Sequence, residues 1–259
     1  MNKLSIIIPV LNESEGIVSL LEHLYNSFQP KNIKEIIVVD GGSTDETIKK
    51  VTNFNTAQQS LQNITPKQHA KSSYVNIPSL FSPEIKMVTS ARGRAKQLNV
   101  GAASAQGSIL YFLHADSFPP KNFDAAIITK VEQGFKAGCF RMKFDSNHII
   151  LKISQWFTRF NWKICRGGDQ SLFVAKDVFH QLKGFNETYE IYEDCELINR
   201  LYDTVGFTVI KGVIITSARK YNVNGVAKLQ YHFAVIHIKK WLGASPQVLK
   251  NYYKKNIVS

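Results

Sequence analysis

The sequence predicts an α/β protein whose central sheet is mostly parallel and carries helices on both faces. Continuous apolar runs at residues 4–9 and 36–39 are typical of parallel strands that are buried on both sides. From Ile17 onward the apolar residues follow helical spacing, so a helix is expected between these two strands. The chain has 259 residues, 44% of them hydrophobic, which is enough for one large domain with a substantial core.

The elements that follow continue this alternation. Ser43 and Glu46 have the spacing of a capping box, which predicts a short helix from residue 46 to about residue 54. Residues 53–83 are polar and proline-containing, so we expect a mobile surface insertion there. Further on, the patterns predict strands at 85–88, 109–112 and 209–215, helices at 94–105, 123–133 and 193–202, and a helical tail at 226–253 interrupted at 243–246.

The charge is strongly basic and unevenly placed. The formal net charge is +12, and no Asp or Glu follows Asp203. We therefore expect residues 1–225 to form the main domain and residues 226–259 to form a basic helical tail, which either packs on the domain with its lysines in water or contacts phosphates or anionic lipid. No nucleic-acid-binding motif accompanies this charge, so no nucleic-acid partner is expected.

Compartment is predicted from the cysteines and from the length of the apolar runs. Cys139, Cys165 and Cys195 are scattered and lack CxxC spacing, which is typical of a protein in a reducing cytoplasm. No apolar run approaches the roughly 18 residues needed to cross a bilayer. The sequence thus predicts a cytoplasmic protein, with peripheral contact at the inner face of the membrane as an option through the basic tail.

Two predicted strands end in an aspartate, Asp40 and Asp116. Ligands of open parallel sheets bind beyond the carboxyl ends of the strands, so both carboxylates are expected to face one crevice. Two acids that are close together repel each other unless a cation or a set of hydroxyls lies between them. A divalent metal that carries a diphosphate would meet this need. A single such aspartate is more often only a turn or helix cap.

Four longer stretches carry a resemblance to a known family. "SIIIPVLNESEGI", "IIVVDGGSTDET", "GRAKQLNVGAASAQGSILYFLHADS" and "YEDCEL" resemble the successive motifs of family 2 glycosyltransferases, which have the GT-A fold. Together with "GGDQSLFV" and "SARKY", they resemble a bacterial subgroup with "HAD" in place of the DxD motif. The resemblance implies an inverting transfer of a sugar from a nucleotide-diphosphate donor, a UDP-sugar, to an acceptor hydroxyl. The sequence does not identify the acceptor, and a lipid-linked acceptor is one candidate.

The resemblance also implies where the donor binds. It places the following residues around the nucleotide: Pro9, Asn12, Glu13, Asp40, Arg94, Lys96, Asn99, His114 and Arg219. Each has a simpler structural explanation that the sequence leaves open. Asn12 and Glu13 could cap a helix, the residues from Arg94 onward could form an exposed helix face, and His114 could belong to the core.

The metal and the catalytic base are implied by two further motifs. Asp116 corresponds to the last acid of DxD, which binds Mg2+ or Mn2+ on the donor diphosphate. His114 replaces the first acid, so either metal affinity is reduced or His114 itself contacts the ribose or phosphate. Glu193 and Asp194 match the acidic pair at a helix start, where the second acid removes the acceptor proton. An acidic pair stabilised by the helix dipole is the structural alternative.

Other functions compete with this one. A nucleotidyltransferase would carry a Gly-rich basic loop after the first strand, and this chain has Pro9 to Glu13 there instead. A nucleotide-sugar-binding protein that lost catalysis at His114 remains open. A Rossmann dehydrogenase is excluded because no GxGxxG follows the first strand.

Overall fold

The computed structural model describes residues 2–63 and 83–257. Eight strands in these residues form one sheet in the order β3-β2-β1-β4-β7-β6-β8-β5. The strands are Leu4–Val10 (β1), Ile33–Asp40 (β2), Glu84–Thr89 (β3), Ile109–Phe112 (β4), Ser117–Phe118 (β5), Ala137–Phe144 (β6), Leu172–Ala175 (β7) and Phe207–Thr216 (β8). The pairings β1–β2, β1–β4, β2–β3 and β6–β8 are parallel, and the other three are antiparallel. The predicted α/β class and the mostly parallel sheet are therefore confirmed.

Helices cover both faces of this sheet. They are Ile17–Ser27 (α1), Thr47–Asn63 (α2), Arg94–Ser104 (α3), Phe123–Glu132 (α4), Ile149–Phe157 (α5), Lys176–Gln181 (α6), Glu193–Thr204 (α7), Arg219–Asn224 (α8), Val226–Trp241 (α9) and Pro246–Asn256 (α10). Along β1 the side chains alternate, so that Ile6 and Ile8 pack in one apolar cluster with α1, and Ile7 packs in a second cluster with α3 and α7. Each strand of the sheet centre is therefore buried on both sides.

The strand order reverses direction between β1 and β4. The chain first builds β1, β2 and β3 toward one edge, and α3 then crosses the opposite face to place β4 on the other side of β1. Ligands of doubly wound sheets bind at such a reversal, beyond the carboxyl ends of the strands. The loops after β1 and β4, with Asn12 and His114, meet at this point.

The predicted capping box at Ser43 is wrong. The helix begins at Thr47, and the Ser43 hydroxyl instead accepts a hydrogen bond from the Asn12 amide at 3.0 Å. The helix also continues to Asn63, well past residue 54, so residues 53–63 belong to α2 and not to an irregular insertion. Residues 64–82 of the predicted insertion lie outside the described part of the chain.

The C-terminal segment folds as two helices, with the predicted interruption between them. Leu229, Ile236 and Leu249 are buried in the same apolar cluster as Ile6, so α9 and α10 pack on the core. No helix in the described residues combines the length and the apolarity that a membrane-spanning segment needs.

Candidate active site

The loops after β1 and β2 are joined by hydrogen bonds. The Thr44 amide donates to Asn12 Oδ1 at 2.8 Å, and the Glu13 amide donates to Thr47 Oγ1 at 2.9 Å. The side chains of Asn12 and Glu13 do not cap α1, since its N-cap is Gly16 and no side chain binds there. The capping alternative is therefore wrong for these two residues, and the two loops form one wall of the crevice.

Asp40 lies at the tip of β2, as predicted, but its carboxylate is turned into its own loop. It is 3% exposed and accepts hydrogen bonds from the amides of Gly42 and Ser43, at 2.9 and 3.1 Å. The contact of Asp40 with the nucleotide stays a prediction, and in the structure the loop amides already donate hydrogen bonds to this carboxylate. Gln97 of α3 links the ends of β1 and β2 next to this loop, since its Nε2 donates to the carbonyls of Val10 and Val39, each at 2.9 Å.

A cluster of charged side chains lies across the crevice, where α3, α7 and β4 meet. Arg94 Nη1 is 3.1 Å from Glu193 Oε1 and 3.5 Å from Asp194 Oδ2. His114 Nε2 is 3.8 Å from the same Asp194 oxygen, and His114 Nδ1 is 3.4 Å from Asp169 Oδ1. The structure therefore brings together four residues that the sequence motifs singled out, with Asp169 as a fifth member.

Local backbone geometry positions this cluster. Tyr192, directly before α7, has φ of 71°, which turns the chain so that Glu193 and Asp194 begin the helix facing Arg94. Gly168 packs so closely against the pair that a Cβ at this position would lie 2.0 Å from Asp194 Oδ2 and 3.0 Å from the His114 ring. Only glycine leaves room for the carboxylate there.

Arg166 fixes the loop that carries Gly168 and Asp169. This buried guanidinium donates to Gln170 Oε1 at 2.6 Å and to the Thr158 carbonyl at 2.8 Å, and it contacts Cys139 Sγ at 3.1 Å. Its charge has no carboxylate partner among the described residues. Carbonyl and amide oxygens accept its hydrogen bonds in place of a carboxylate. Through these bonds Arg166 connects residues 158–160 to the loop that packs against Asp194.

Burial and mutual charge set the ionisation of the cluster. Burial raises the pKa of Glu193 to about 7, and the nearby Asp194 adds to this, while Arg94 partly opposes it. For His114, burial and Arg94 lower the pKa, but Asp169 and Asp194 outweigh them and the pKa is raised overall. Near neutral pH, Glu193 and His114 are therefore protonated to a greater extent than the same side chains would be in water.

The raised pKa of Glu193 gives a testable pH dependence. Below about pH 4.5 the carboxyl is protonated in both the folded and the unfolded state, so its full contribution to stability is present. Between about 4.5 and 7 the unfolded chain releases this proton first, so stability falls as pH rises. Glu193→Gln removes this dependence, because glutamine does not titrate.

We expect wild type to lose on the order of 1–3 kcal/mol more than Glu193→Gln between pH 4.5 and 7.5. Urea unfolding at a series of pH values measures it. Arg94, Asp194 and His114 face Glu193 in both proteins, so the difference between the two curves reports Glu193 together with its charge coupling to these neighbours. Parallel curves for the two proteins would contradict the assignment.

Asp116 lies in the loop after β4, two residues beyond His114, and is partly exposed. Its backbone carbonyl accepts from the Ser217 amide at 3.2 Å, which ties it to the end of β8. Nearby, Glu13 Oε2 and Arg219 Nη2 are 3.4 Å apart. Burial raises the pKa of Glu13, Arg219 opposes this, and the charge of Asp116 raises it further.

The described residues contain no cluster of three His, Cys, Asp or Glu that could hold a metal ion by itself. The donor set at Asp116 still suits a hard cation that arrives with a substrate. Mg2+ is usually bound by one or two carboxylates together with substrate phosphates and waters, and Asp116 supplies one such oxygen ligand. The residues present therefore fit a metal that is shared with a diphosphate, and not a site made of protein ligands alone.

Within the described residues, three further predicted site residues make no side-chain hydrogen bond or ion pair with the cluster or with the loops that carry Asn12 and Asp40. Asn99 is used structurally: its Nδ2 donates to the Phe185 carbonyl and its Oδ1 accepts from the Phe185 amide, each at 2.9 Å. Lys96 is exposed on α3 and forms no ion pair with the described residues. Pro9 is half-buried in β1, paired with Val39, just before the loop that carries Asn12.

Sequence reasoning gave no individual role to three residues that shape the site, although the resemblance implied an acceptor-side loop at residues 167–170. Asp169 and Arg166 flank the two glycines of "RGGDQ", and that glycine pair was the signal that a close approach occurs there. Gln97 gave no signal, because an amide within a helical pattern is typical of an exposed position. Its role depends on the carbonyls of two strands that only the fold brings together.

Comparisons with known proteins agree with this geometry. The profile of the family described as Glycosyl transferase family 2 matches residues 5–180. The chain is 24% identical over 216 residues to a probable glycosyltransferase, YdaM, of Bacillus subtilis strain 168, covering 78% of this chain and 47% of YdaM. It is 28% identical over 265 residues to a Methanococcus voltae dolichyl N-acetyl-alpha-D-glucosaminyl phosphate 3-beta-D-2,3-diacetamido-2,3-dideoxy-beta-D-glucuronosyltransferase, covering 100% of this chain and 69% of that protein. The chain thus spans only about half of the Bacillus relative.

Solved structures share the fold. A mannosyltransferase from Pyrobaculum calidifontis, in complex with GDP-Man and Mn2+, matches 98% of this chain and 70% of its own with a TM-score of 0.65 and 18% identity. S. aureus TarS 1-349 in complex with UDP matches 83% of this chain and 60% of its own with a TM-score of 0.63 and 18% identity. These likenesses confirm the predicted GT-A fold.

Proposed function

We propose, on the premise that the chain belongs to glycosyl transferase family 2, that it transfers a sugar from a nucleotide-diphosphate donor to an acceptor hydroxyl with inversion at the anomeric carbon. One observation carries this proposal. Asp194 lies at the switch point of the sheet with Arg94 at 3.5 Å and His114 at 3.8 Å, and Asp116 follows His114 by two residues in the loop after β4. A proton acceptor and a group suited to the donor diphosphate thus flank one crevice.

In this mechanism Asp194 removes the proton of the acceptor hydroxyl while the oxygen attacks the anomeric carbon. The diphosphate leaves from the opposite face of the sugar, which inverts the anomeric configuration. Glu193 holds one side of the Arg94 guanidinium, whose side chain is still 48% exposed. The free N–H groups of Arg94 can therefore bind the negative charge of the departing diphosphate.

Asp116 is the residue that would hold Mg2+ or Mn2+. When bound, such a cation neutralises charge on the diphosphate and makes it a better leaving group. His114 replaces the first acid of the DxD motif, and its two ring nitrogens face Asp169 and Asp194. We propose that His114 orients the base and that Asp116 alone supplies the protein carboxylate for the cation.

The identity of the donor is supported only by analogy. UDP and GDP-Man are bound by the two solved structures described above, and UDP is the nucleotide we propose here on the basis of the sequence motifs. Asn12, Asp40 and Arg219 would surround it, with Arg219 adjacent to Glu13 as a basic cover over the diphosphate. The Methanococcus relative is described by a dolichyl-phosphate sugar acceptor, which favours a lipid-linked acceptor for this chain.

A thermal-shift panel of nucleotide sugars, each with and without Mn2+, tests this function. A donor at 100 times its Kd adds about 2.7 kcal/mol to stability, which should raise the melting temperature by roughly 5–10 °C. We expect Mn2+ to enlarge the shift for wild type and to have no effect on the shift of Asp116→Ala. If no nucleotide sugar stabilises wild type, the proposed donor class is wrong. If Mn2+ acts equally on both proteins, Asp116 is not the metal ligand.

The tail is the proposed element for peripheral membrane contact. Beside its buried residues, α9 exposes Tyr231, Ile238 and Trp241 at helical spacing, which gives it a second apolar stripe. Its lysines are less free than the sequence indicated. Lys240 Nζ donates to the Tyr189 hydroxyl at 2.5 Å, and Lys250 pairs with Glu190. Lys254 and Lys255 of α10 form no ion pair with the described residues, so the tail offers lipid both this apolar stripe and part of its charge.

A further inference from the structure

A cleft lined by four cations lies between α5 and the strands β6 and β8. It has a volume of about 220 Å³, and its basic side chains are Arg141, Lys143, Lys152 and Arg159. No acidic residue lines it. None of the four takes part in an ion pair with the described residues. Four unpaired cations this close together repel one another, so the cleft is suited to an anion.

Arg141 makes the strongest case for a bound anion. Its Nε is buried and has no hydrogen-bond partner in the described structure. A buried donor that lacks a partner costs on the order of 1–3 kcal/mol, and native proteins rarely leave one unsatisfied. An anion in the cleft would pair with the charge of the Arg141 guanidinium, and a shift of that side chain would let the buried Nε share the same acceptor. The apolar part of the cleft wall comes from Met142, Trp156 and Val213.

Large apolar side chains are exposed next to this cleft. On α5, Ile149, Ile153, Trp156 and Phe157 lie on one face, because their positions follow helical spacing, and Trp156 is 45% exposed. Leu151 on the opposite face is fully buried, which anchors the helix on the core. After α5 the chain continues to expose such residues, with Trp162 at 56% and Ile164 at 82%.

The basic charge and the aromatic side chains around α5 together indicate what kind of partner binds this surface. No Asp or Glu occurs between Asp145 and Asp169, so the exposed surface is basic and apolar at the same time. A helix with Trp, Phe and Ile on one side and Lys or Arg beside it is typical of a segment that lies in the interface of an anionic bilayer. A soluble anion would account for the cleft but not for the exposed tryptophans.

We propose that this surface, formed by α5, residues 158–164 and the four cations, docks on an anionic phospholipid membrane. A lipid phosphate occupies the cleft and contacts Arg141, while Trp156 and Trp162 enter the headgroup region. Arg166 connects this surface to the loop with Gly168, because it bonds both the Thr158 carbonyl and Gln170. Docking would therefore place the acceptor side of the site next to the membrane; only this last step rests on the proposed function.

Vesicle sedimentation tests the proposal with the full chain. The cleft variant is Lys143→Gln with Lys152→Gln, and the matched control is Lys34→Gln with Lys121→Gln, which removes the same charge from other exposed lysines. A tail variant, Lys254→Gln with Lys255→Gln, separates the two surfaces. On vesicles with 30% phosphatidylglycerol, we expect the cleft variant to lose about 30-fold in partitioning, since each nearby basic residue contributes about fivefold. The control should stay within about twofold of wild type.

Tryptophan fluorescence gives a second readout. The chain has three tryptophans, so Trp241→Phe leaves only Trp156 and Trp162, both in the proposed surface. Their emission should shift to shorter wavelength on anionic vesicles and not on phosphatidylcholine vesicles. Neither assay requires catalysis, so a failed transfer reaction would not affect them.

Several results would overturn the proposal. The first is that the wild-type protein fails to bind anionic vesicles at low salt. The second is that the cleft variant and the control variant lose binding to the same extent. Loss in the tail variant alone would move the contact to α10. Full competition by 10 mM inorganic phosphate, or binding of double-stranded DNA through the same lysines without vesicle binding, would identify a site for free phosphate or nucleic acid instead.

Discussion

Asp194→Asn is expected to lower the transfer rate about 1,000-fold or more while nucleotide binding stays near that of wild type. The substitution keeps the shape of the side chain but removes its ability to take the acceptor proton. Glu193 still holds Arg94 at 3.1 Å in this variant, so the groups on the donor side keep their positions. The transfer rate at saturating donor and the UDP affinity by titration calorimetry are the two measurements.

Asp177→Asn is the matched control for this change. Asp177 is exposed at the start of α6, and the same loss of one negative charge there should leave both quantities unaltered. A loss of UDP affinity in Asp194→Asn as large as the loss of rate would place Asp194 in the donor site. A rate close to wild type would assign the base to another group, for which Glu193 is the nearest candidate.

Gly168→Ala is expected to reduce the transfer rate about 100-fold or more. The added Cβ would lie 2.0 Å from Asp194 Oδ2 and 2.6 Å from its Cγ, so the carboxylate or the loop has to move. A displacement of about 1 Å at a reacting group is enough for an effect of this size. The expected change is therefore in the rate at saturating substrate, with a smaller change in thermal stability.

Gly167→Ala provides a close control. Gly167 has extended backbone with φ of −161°, and a Cβ there would meet no atom within 4 Å. The two variants thus differ by one position in the same loop and by the presence of the Asp194 contact. Equal activity in Gly167→Ala and Gly168→Ala would show that the loop opens away from Asp194 in the working enzyme.

The elements with strong local periodicity were predictable from the sequence, whereas β6, α5, β7 and α6, between residues 137 and 181, were not predicted. The starts of α3 at Arg94 and α7 at Glu193 were predicted at the right residue, and the strands before His114 and Asp40 were found within a few residues. These elements carry strong apolar patterns that the core then buries. The order of the motifs along the chain indicated the family, because the motifs follow one another as they do in family 2 glycosyltransferases.

Contacts between distant segments were not predictable. The Ser43 capping box failed because the Ser43 hydroxyl is bound by the Asn12 amide of another loop, which no local pattern shows. Asn99 was assigned to the nucleotide by motif alone, and the structure instead places its amide against Phe185. The grouping of Arg94, His114 and Asp194 depends on how α3, β4 and α7 pack, which spacing along the chain does not determine.

The strand order has a consequence for the time at which this protein acquires its site during synthesis. Strands β1 to β4 come from the first 112 residues and pair with one another, so this half of the sheet can form before the rest of the chain is made. Asp116 pairs with Ser217 and Glu13 pairs with Arg219, and both partners lie near the end of β8 and the start of α8. These contacts form only after residues 217–219 have been synthesised. At about 5–20 residues per second, the ribosome needs roughly 5–20 s to make that intervening stretch. A nascent chain would thus expose the unfinished nucleotide crevice for that interval, and a chaperone or an early ligand would meet it before its cover exists.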